Sequence, residues 1–383
     1  MNKEILWLWY TQKTAVTKKI KFDLYKHFGS IEKIYAASRE KYTSLGFVPK
    51  AAIDELCDKD LKKCESLYHL YSKNNVKLLS IDMEEYPASL NHLPYPPLLL
   101  YCRGKFINLN ERLCISVVGS RKITEYGKSC TKNIAKELAE GGAIIVSGMA
   151  FGVDSCAHWA AIEAGMPTVA VVGTGVNMVY PKSHARLMKE IIKTGMVISE
   201  YPLNTEAEKH HFPERNRIIS ALSVATLIVE ADIKSGSLIT ANLSLELGKD
   251  VYAVPGSIYS INSKGTNSLI RDGAFLTTCG EDILGNLREK YSNLILNGMN
   301  DKTEHNNIEE TSSINLLKND DVFENEAADD EEKILSVLTE DEPFNIDEIF
   351  EKTGIPISTL NQKLLLMELS GKIKKHPGNN YTK

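Results

Sequence analysis

From about residue 114 onward, short apolar runs alternate with stretches in which apolar residues recur at helical spacing. The runs at 114–118, 143–147, 168–172, 196–199, 224–230, 250–254 and 274–278 predict strands. The helical spacing predicts helices near 126–140, 154–164, 183–194, 213–222, 237–248 and 265–272. The strand runs are β-branched and apolar throughout rather than alternating, as expected when both faces of a sheet are covered. Glycine turns at 119, 148 and 173 follow one another at about the length of a βαβ unit. The pattern predicts an α/β fold: a Rossmann-like, doubly wound, mostly parallel sheet.

The two ends differ from this core. In the first 78 residues Leu24, Tyr25, Phe28, Ile31, Ile34 and Tyr35 fall at helical spacing, and Ile53 and Leu56 begin another helical pattern. We expect a helical N-terminal domain over 1–81. Residues 82–104 are rich in proline and end in an apolar strand at 98–101, so they read as an extended connection that opens the core at 82–298. Residues 299–332 are acidic and Asn-rich and read as a disordered linker. Over 333–383, Ile334, Leu335 and Leu338, then Ile346, Ile349 and Phe350, then Ile357, Leu360, Leu364 and Met367 mark three short helices, and 371–381 reads as a hairpin. Three helices and a wing predict a C-terminal winged helix.

Charge changes the picture only when it is divided. The net charge is −5, yet residues 300–332 carry twelve acids against Lys302 and Lys318, and 1–108 carry 17 basic and 12 acidic residues. Residues 109–299 balance at 19 of each sign, so anion affinity in the core must come from local clustering. The seven cysteines form no Cys-x-x-Cys pair and read as free thiols in a reducing cytoplasm. The apolar run 5–10 is too short for a signal peptide or a membrane span. We expect no membrane insertion, no cofactor and no metal.

In a parallel sheet the strands' carboxyl ends share one edge, where open α/β sheets bind ligands. The turns there are small and hydroxyl-rich. Gly119-Ser120-Arg121 ends the first strand and Ser147-Gly148 the second. Gly173 and Gly175 follow the third, with Lys182 at the start of the next helix. Arg215-Asn216-Arg217 crowds a helix start, and Ser235-Gly236-Ser237 opens another helix. Glycine permits close approach of backbone N–H groups to a phosphate, and arginine grips one with a two-pronged fork. Cations at helix starts oppose the helix dipole unless an anion sits there. Together these residues predict a site for a ligand carrying several phosphates. Neither Gly-x-Gly-x-x-Gly nor a P-loop is present. Asp154 reads as a helix N-cap, His158 as a packed histidine, and Glu230 as a partner of Arg215 or Arg217. His210 and His211 stay unassigned.

Several runs in this order carry a resemblance: Val-Gly-Ser-Arg (118–121), Ser-Gly-Met-Ala-Phe-Gly-Val-Asp (147–154), Tyr-Pro-Lys (180–182), Ser-Glu-Tyr-Pro (199–202), Phe-Pro-Glu-Arg-Asn-Arg-Ile-Ile-Ser (212–220) and Ser-Gly-Ser-Leu-Ile-Thr-Ala (235–241). Over about 82–290 the chain resembles the DNA-processing protein A family (DprA/Smf), with mild departures at Met149 and Ala221. The resemblance implies a protein that binds single-stranded DNA, forms a homodimer and hands the strand to the RecA recombinase during DNA uptake and natural transformation. It implies DNA contacts at Arg121 and Lys182, completed by the Ser-Gly loop, the Arg-Asn-Arg run and the Ser-Gly-Ser turn, with a dimer surface near 265–278. It also implies an N-terminal domain of sterile-alpha-motif or helix-hairpin-helix type. No catalytic role is expected. Two alternatives remain open: a nucleotide-binding or nucleotide-hydrolysing enzyme on the same fold, with Glu230 as its base, and a regulator acting through the winged helix, whose third helix offers Ser358, Thr359, Asn361, Gln362 and Lys363.

Overall fold

The computed structural model describes residues 2–295, 297–298, 333–339, 343–353, 355, 360, 363–364, 367–368, 372–376 and 380–383. The acidic segment 299–332 and the winged-helix residues Ser358, Thr359, Asn361 and Gln362 lie outside them. The chain divides into two compact units, Met1–His305 and Asn306–Lys383.

The first unit opens with six helices: α1 (Lys3–Thr11), α2 (Lys18–Phe28), α3 (Ile31–Ala36), α4 (Arg39–Ser44), α5 (Lys50–Cys57) and α6 (Lys62–Lys73). The apolar run in α1 buries Leu6, Trp7, Leu8, Trp9 and Tyr10 completely or nearly so. Thr17, Ser30 and Ser38 cap the following helices through their hydroxyls, each accepting from a backbone N–H in the first turn. The helical pattern does not continue through residue 78, because β1 (Val76–Ser80) pairs antiparallel with β2 (Leu99–Gly104). Val76, Leu78, Leu79 and Ser80 bury themselves in this pairing, so β1 falls where a helical N-terminal domain was expected, while the strand expected at 98–101 is β2.

The core alternates as expected: β3 (Cys114–Val118), α7 (Glu125–Glu140), β4 (Ile144–Ser147), α8 (Val153–Glu163), β5 (Thr168–Val171), α9 (Ala185–Thr194), β6 (Met196–Ser199), α10 (His211–Leu222), β7 (Ala225–Ile228), α11 (Gly236–Glu246), β8 (Asp250–Ala253), α12 (Lys264–Arg271) and β9 (Phe275–Leu276). The nine strands stand in the order β1-β2-β6-β5-β4-β3-β7-β8-β9. β3 to β9 are parallel, and β2 meets β6 antiparallel. Successive residues of β3 point to opposite faces. Ile115 and Val117 pack with α7 and α8, while Cys114 and Val118 pack with α10 and α11. The N-terminal helices join α9 in a third apolar cluster, in which Leu6, Trp7 and Leu24 share one core with Ala170, Val172, Leu187 and Ile191.

The order in which strands were laid down reverses beside β3. From β3 the chain builds outward through β4, β5 and β6, then returns to place β7 on the other flank of β3. Such a reversal opens a crevice at the carboxyl ends of the two flanking strands.

The second unit contains the helix Ile346–Thr353 and a three-stranded antiparallel sheet, β10 (Phe344–Asn345), β11 (Lys374–His376) and β12 (Asn380–Thr382), in the order β10-β12-β11. Ile334, Leu338, Ile349, Leu360, Leu364 and Met367, all picked out by helical spacing, join Ile355, Ile373 and Tyr381 in its core, whereas Phe350, expected with them, is exposed and Ile357 lies outside the described residues. The hairpin expected at 371–381 is the pair β11–β12.

Candidate functional site

A pocket of about 980 Å³ opens at the β3/β7 reversal. Its floor and walls come from the turn after β3 (Gly119, Ser120, Arg121, Lys122), the turn and helix start after β4 (Ala150, Asp154), the amino end of α10 (Phe212, Pro213, Arg215, Asn216) and the turn after β7 (Asp232, Lys234, Ser235, Gly236, Ser237). Val118, Tyr180, Lys209, Ile219, Ile239, Thr240, Ile261 and Asn262 complete it. First-turn residues of α8, α10 and α11 therefore all line one cavity, where the positive ends of three helix dipoles favour negative charge.

The turn after β3 is held by contacts that only glycine allows. A Cβ on Gly119 would lie 2.6 Å from Val153 Cγ2 and 2.9 Å from the Glu230 carbonyl oxygen. Gly152, at φ +79°, faces the same loop, where a Cβ would lie 2.9 Å from Arg121 Cα. Ser120 N donates to the Glu230 carbonyl at 2.7 Å, which ties the turn after β3 to β7 across the crevice. Arg121 leaves this turn exposed, and its guanidinium lies 5.5 Å from the centre of the Phe212 ring. Phe212 in turn lies 5.2 Å from the Tyr180 ring. Ser235 caps α11 by accepting from Ser237 N, and the two hydroxyls are 2.8 Å apart. Nothing stands within 4 Å of a Cβ on Gly236, so that turn is open to the cavity.

The structure separates the expected site residues into two groups. Gly119, Ser120, Arg121, Arg215, Asn216, Ser235, Gly236 and Ser237 come together around the pocket. Ser147, Gly148, Gly173, Gly175, Lys182 and Arg217 are not among the lining residues. Ser147 is buried and donates to the Val117 carbonyl at 2.6 Å across the sheet. Gly173 and Gly175 are buried: the Gly173 carbonyl accepts from His211 of α10, and Gly175, packed against the loop 202–205, donates its N–H to the Thr205 carbonyl. Lys182 is exposed in a short 3-10 turn, Lys182–His184, ahead of α9.

Helix α10 begins at His211, two residues earlier than its spacing predicts, so Arg215 and Arg217 stand in the second turn rather than the first. Arg217 Nη2 makes a 2.5 Å ion pair with Glu200, and Nη1 donates to the Tyr95 carbonyl at 3.0 Å. Lys18 of α2 joins this network, 2.8 Å from Glu200 and 2.9 Å from Glu214. Arg215 is 4 % exposed, and its Nη1 donates to the carbonyls of Gly148, at 2.8 Å, and Val171. Burial lowers its pKa to about 10, partly opposed by the attraction of nearby Asp154. Burial likewise raises the Asp154 carboxyl, against the pull of Arg215 and two backbone donors, Gly148 N and Ala150 N.

Three sequence expectations are corrected. Glu230 does not pair with Arg215 or Arg217: its carboxylate accepts from Thr124 N at 2.9 Å and from Thr124 Oγ1 at 2.5 Å, with Asn262 Nδ2 at 3.4 Å. Asp154 is not the N-cap of α8, a place taken by Gly152; it braces the loop 148–150 from inside the first turn. The dipole conflict inferred for both arginines does not arise, because the helix starts earlier. His158 is packed as expected: Nδ1 lies 2.7 Å from Thr168 Oγ1, and burial lowers its pKa to about 3. The expectation missed five pocket residues that carry a positive charge or an aromatic ring: Lys122, Tyr180, Lys209, Phe212 and Lys234. Their signal was exposure around one edge, which depends on how separate loops meet.

The glycine-clamped turns, the buried arginine and the α10 run bear on ancestry. A family model for DNA recombination-mediator protein A matches residues 77–288, and one for the DprA winged helix domain matches 323–379. The chain belongs to the DNA recombination-mediator protein A family. It is 35% identical over 243 residues to DNA processing protein DprA of Bacillus subtilis, spanning 63% of this chain and 82% of that one. The X-ray structure of DNA processing protein A from Streptococcus pneumoniae superposes with a TM-score of 0.67 at 31% identity, covering 74% of this chain and 98% of that one. A structure giving insight into the unique single-stranded DNA binding mode of DNA processing protein A from Helicobacter pylori superposes with a TM-score of 0.52 at 32% identity, covering 57% and 99%. As a member of the family this chain is a DNA-processing, recombination-mediator protein. Among its described residues no helix is long and apolar enough to cross a membrane.

Proposed function

We propose that this protein binds single-stranded DNA in the pocket at the β3/β7 reversal and passes the strand to the RecA recombinase, without catalysing a reaction on it. The observation that carries the reading is the pairing of exposed cations with aromatic rings on one rim: Arg121, Lys122, Lys209 and Lys234 beside Phe212 and Tyr180. Cations track a phosphate backbone, and rings offer bases a stacking surface with little sequence preference. The positive dipole end of α11, reached through the open turn at Gly236, favours one phosphate there. The Helicobacter pylori relative's single-stranded DNA binding supports the same reading. The recombinase step rests on family membership.

The non-catalytic part is supported by Glu230. The acid that a hydrolase would need as a base is 2 % exposed and already accepts hydrogen bonds from Thr124 and Asn262. The homodimer is supported by β9 at the edge of the sheet, where Phe275 and Leu276 are 48 % and 53 % exposed on an edge with no further strand among the described residues.

Titration of a labelled oligonucleotide, single-stranded against duplex, at several salt concentrations tests the reading. Neutralising about four phosphates on a single strand gives a slope near −3 in log affinity against log salt. Affinity then falls about 50-fold between 50 and 200 mM salt. Equal affinity for duplex, or no dependence on salt, would overturn it.

A further inference from the structure

Just before α10 the chain turns at Glu208–His211, where His211 N donates to the Glu208 carbonyl at 3.0 Å. The turn gathers three metal-competent side chains. One donor atom each from Glu208, His210 and His211 lies within 4.8 Å of the other two. His210 Nδ1 is 3.4 Å from Glu208 Oε2, and the two imidazole rings are 4.4 Å apart. A zinc ion about 2.0–2.2 Å from each ligand needs donor separations of roughly 3–4 Å. Glu208 and His210 are exposed and free to close that remaining distance by rotation.

His211 distinguishes this group from a chance surface cluster. It is 6 % exposed and its ring stacks on Tyr201 at 4.0 Å. Its Nδ1 lies 3.0 Å from the Gly173 carbonyl. A carbonyl only accepts, so Nδ1 donates to it, and in the neutral ring Nε2 is then the nitrogen that carries the lone pair. No hydrogen-bond partner for Nε2 occurs among the described residues. A ring fixed by a carbonyl on one nitrogen, with the other nitrogen bare, is how proteins prepare a metal-binding histidine.

We propose that Glu208, His210 and His211 form a site for a divalent transition-metal ion of the zinc class. Two imidazoles and one carboxylate suit zinc, whereas magnesium and calcium prefer oxygen ligands throughout. Three protein ligands leave a coordination position for water or another oxygen donor. The ligands' immediate neighbours, Lys209 and Phe212, line the pocket, so a bound ion adds positive charge at its rim. The proposal departs from the expectation from sequence that the chain holds no metal.

The test is titration of the untagged, full-length protein with Co2+, followed by visible absorption, then competition with Zn2+. The expected result is one Co2+ per chain, displaced by Zn2+, without thiolate charge-transfer absorption. Glu208→Gln and His210→Ala should each weaken binding at least about tenfold. Both side chains are exposed, so the metal-free melting temperature should stay unchanged. Absence of binding, affinity unchanged in both variants, or a thiolate spectrum pointing to the seven cysteines would overturn the proposal. No oligonucleotide enters the measurement, so its failure is distinct from failure of the nucleic-acid reading.

Discussion

Gly148 has no side chain where the guanidinium of Arg215 lies: a Cβ there would stand 2.6 Å from Arg215 Cζ. The arginine is inserted under the turn after β4, and its donors satisfy the carbonyls of Gly148 and Val171 at the ends of neighbouring strands. Arg215 thus shapes the pocket floor from below. Gly148→Ala should displace the guanidinium and cost about 1–3 kcal/mol through overpacking. Arg215→Ala should cost more, about 3–5 kcal/mol, because it strands buried acceptors and Asp154. Urea denaturation measures both. Wild-type stability in Arg215→Ala would return this residue to the cations available to a ligand.

Arg121 behaves oppositely. It is exposed and its guanidinium is placed over Phe212, so Arg121→Glu should shift stability by no more than about 0.5 kcal/mol. The same change should abolish oligonucleotide binding, read by fluorescence anisotropy. Phe212→Ala removes a stacking surface of about 1–3 kcal/mol, a loss of roughly 5- to 150-fold in affinity. Unaltered binding in both variants would place the strand on another surface.

His158 sets a pH dependence. Its folded pKa is about 3, lowered chiefly by burial and secondarily by the Arg215 charge, against an ordinary 6.5. Above pH 6.5 the ring is neutral in both states and its contribution is fully present. As pH falls from 6.5 toward 3, the unfolded chain takes up a proton that the folded chain refuses. Stability then declines by up to about 1.4 kcal/mol per pH unit from this residue. Denaturant melts of wild type and His158→Gln across pH 7 to about 4 should diverge, with the variant's curve flatter. Parallel curves would mean that the ring is protonated in the folded state.

The N-terminal helices share their core with α9 and the sheet, with Leu6, Trp7 and Leu24 in one cluster with Val172, Leu187 and Ile191. Removing residues 1–73 should expose that apolar face. The shortened chain should bind a hydrophobic dye and self-associate on size exclusion, even though the sheet and pocket residues remain. A monodisperse, dye-silent fragment would show that the helices are dispensable to the core.

Legibility followed the range of the interactions. The alternation of strands and helices, the glycine turns and the winged-helix core residues were written in local spacing, and the elements of the core fall within a few residues of where spacing placed them. β1 was missed because its pairing with β2 comes from partners 19 to 27 residues away in the chain. Arg215 and Arg217 sit two residues apart in one helix, yet one supports buried carbonyls and the other pairs with Glu200. Nothing in the local sequence separates them.

The sequence by itself determined that this chain forms a doubly wound sheet with small, glycine-bearing turns at one edge, because periodicity and turn chemistry act between near neighbours. Only the tertiary structure decided which cations remain free at that edge and which are committed to the fold. That choice depends on the acceptors that distant strands and helices bring alongside each side chain, and on how far burial removes them from water.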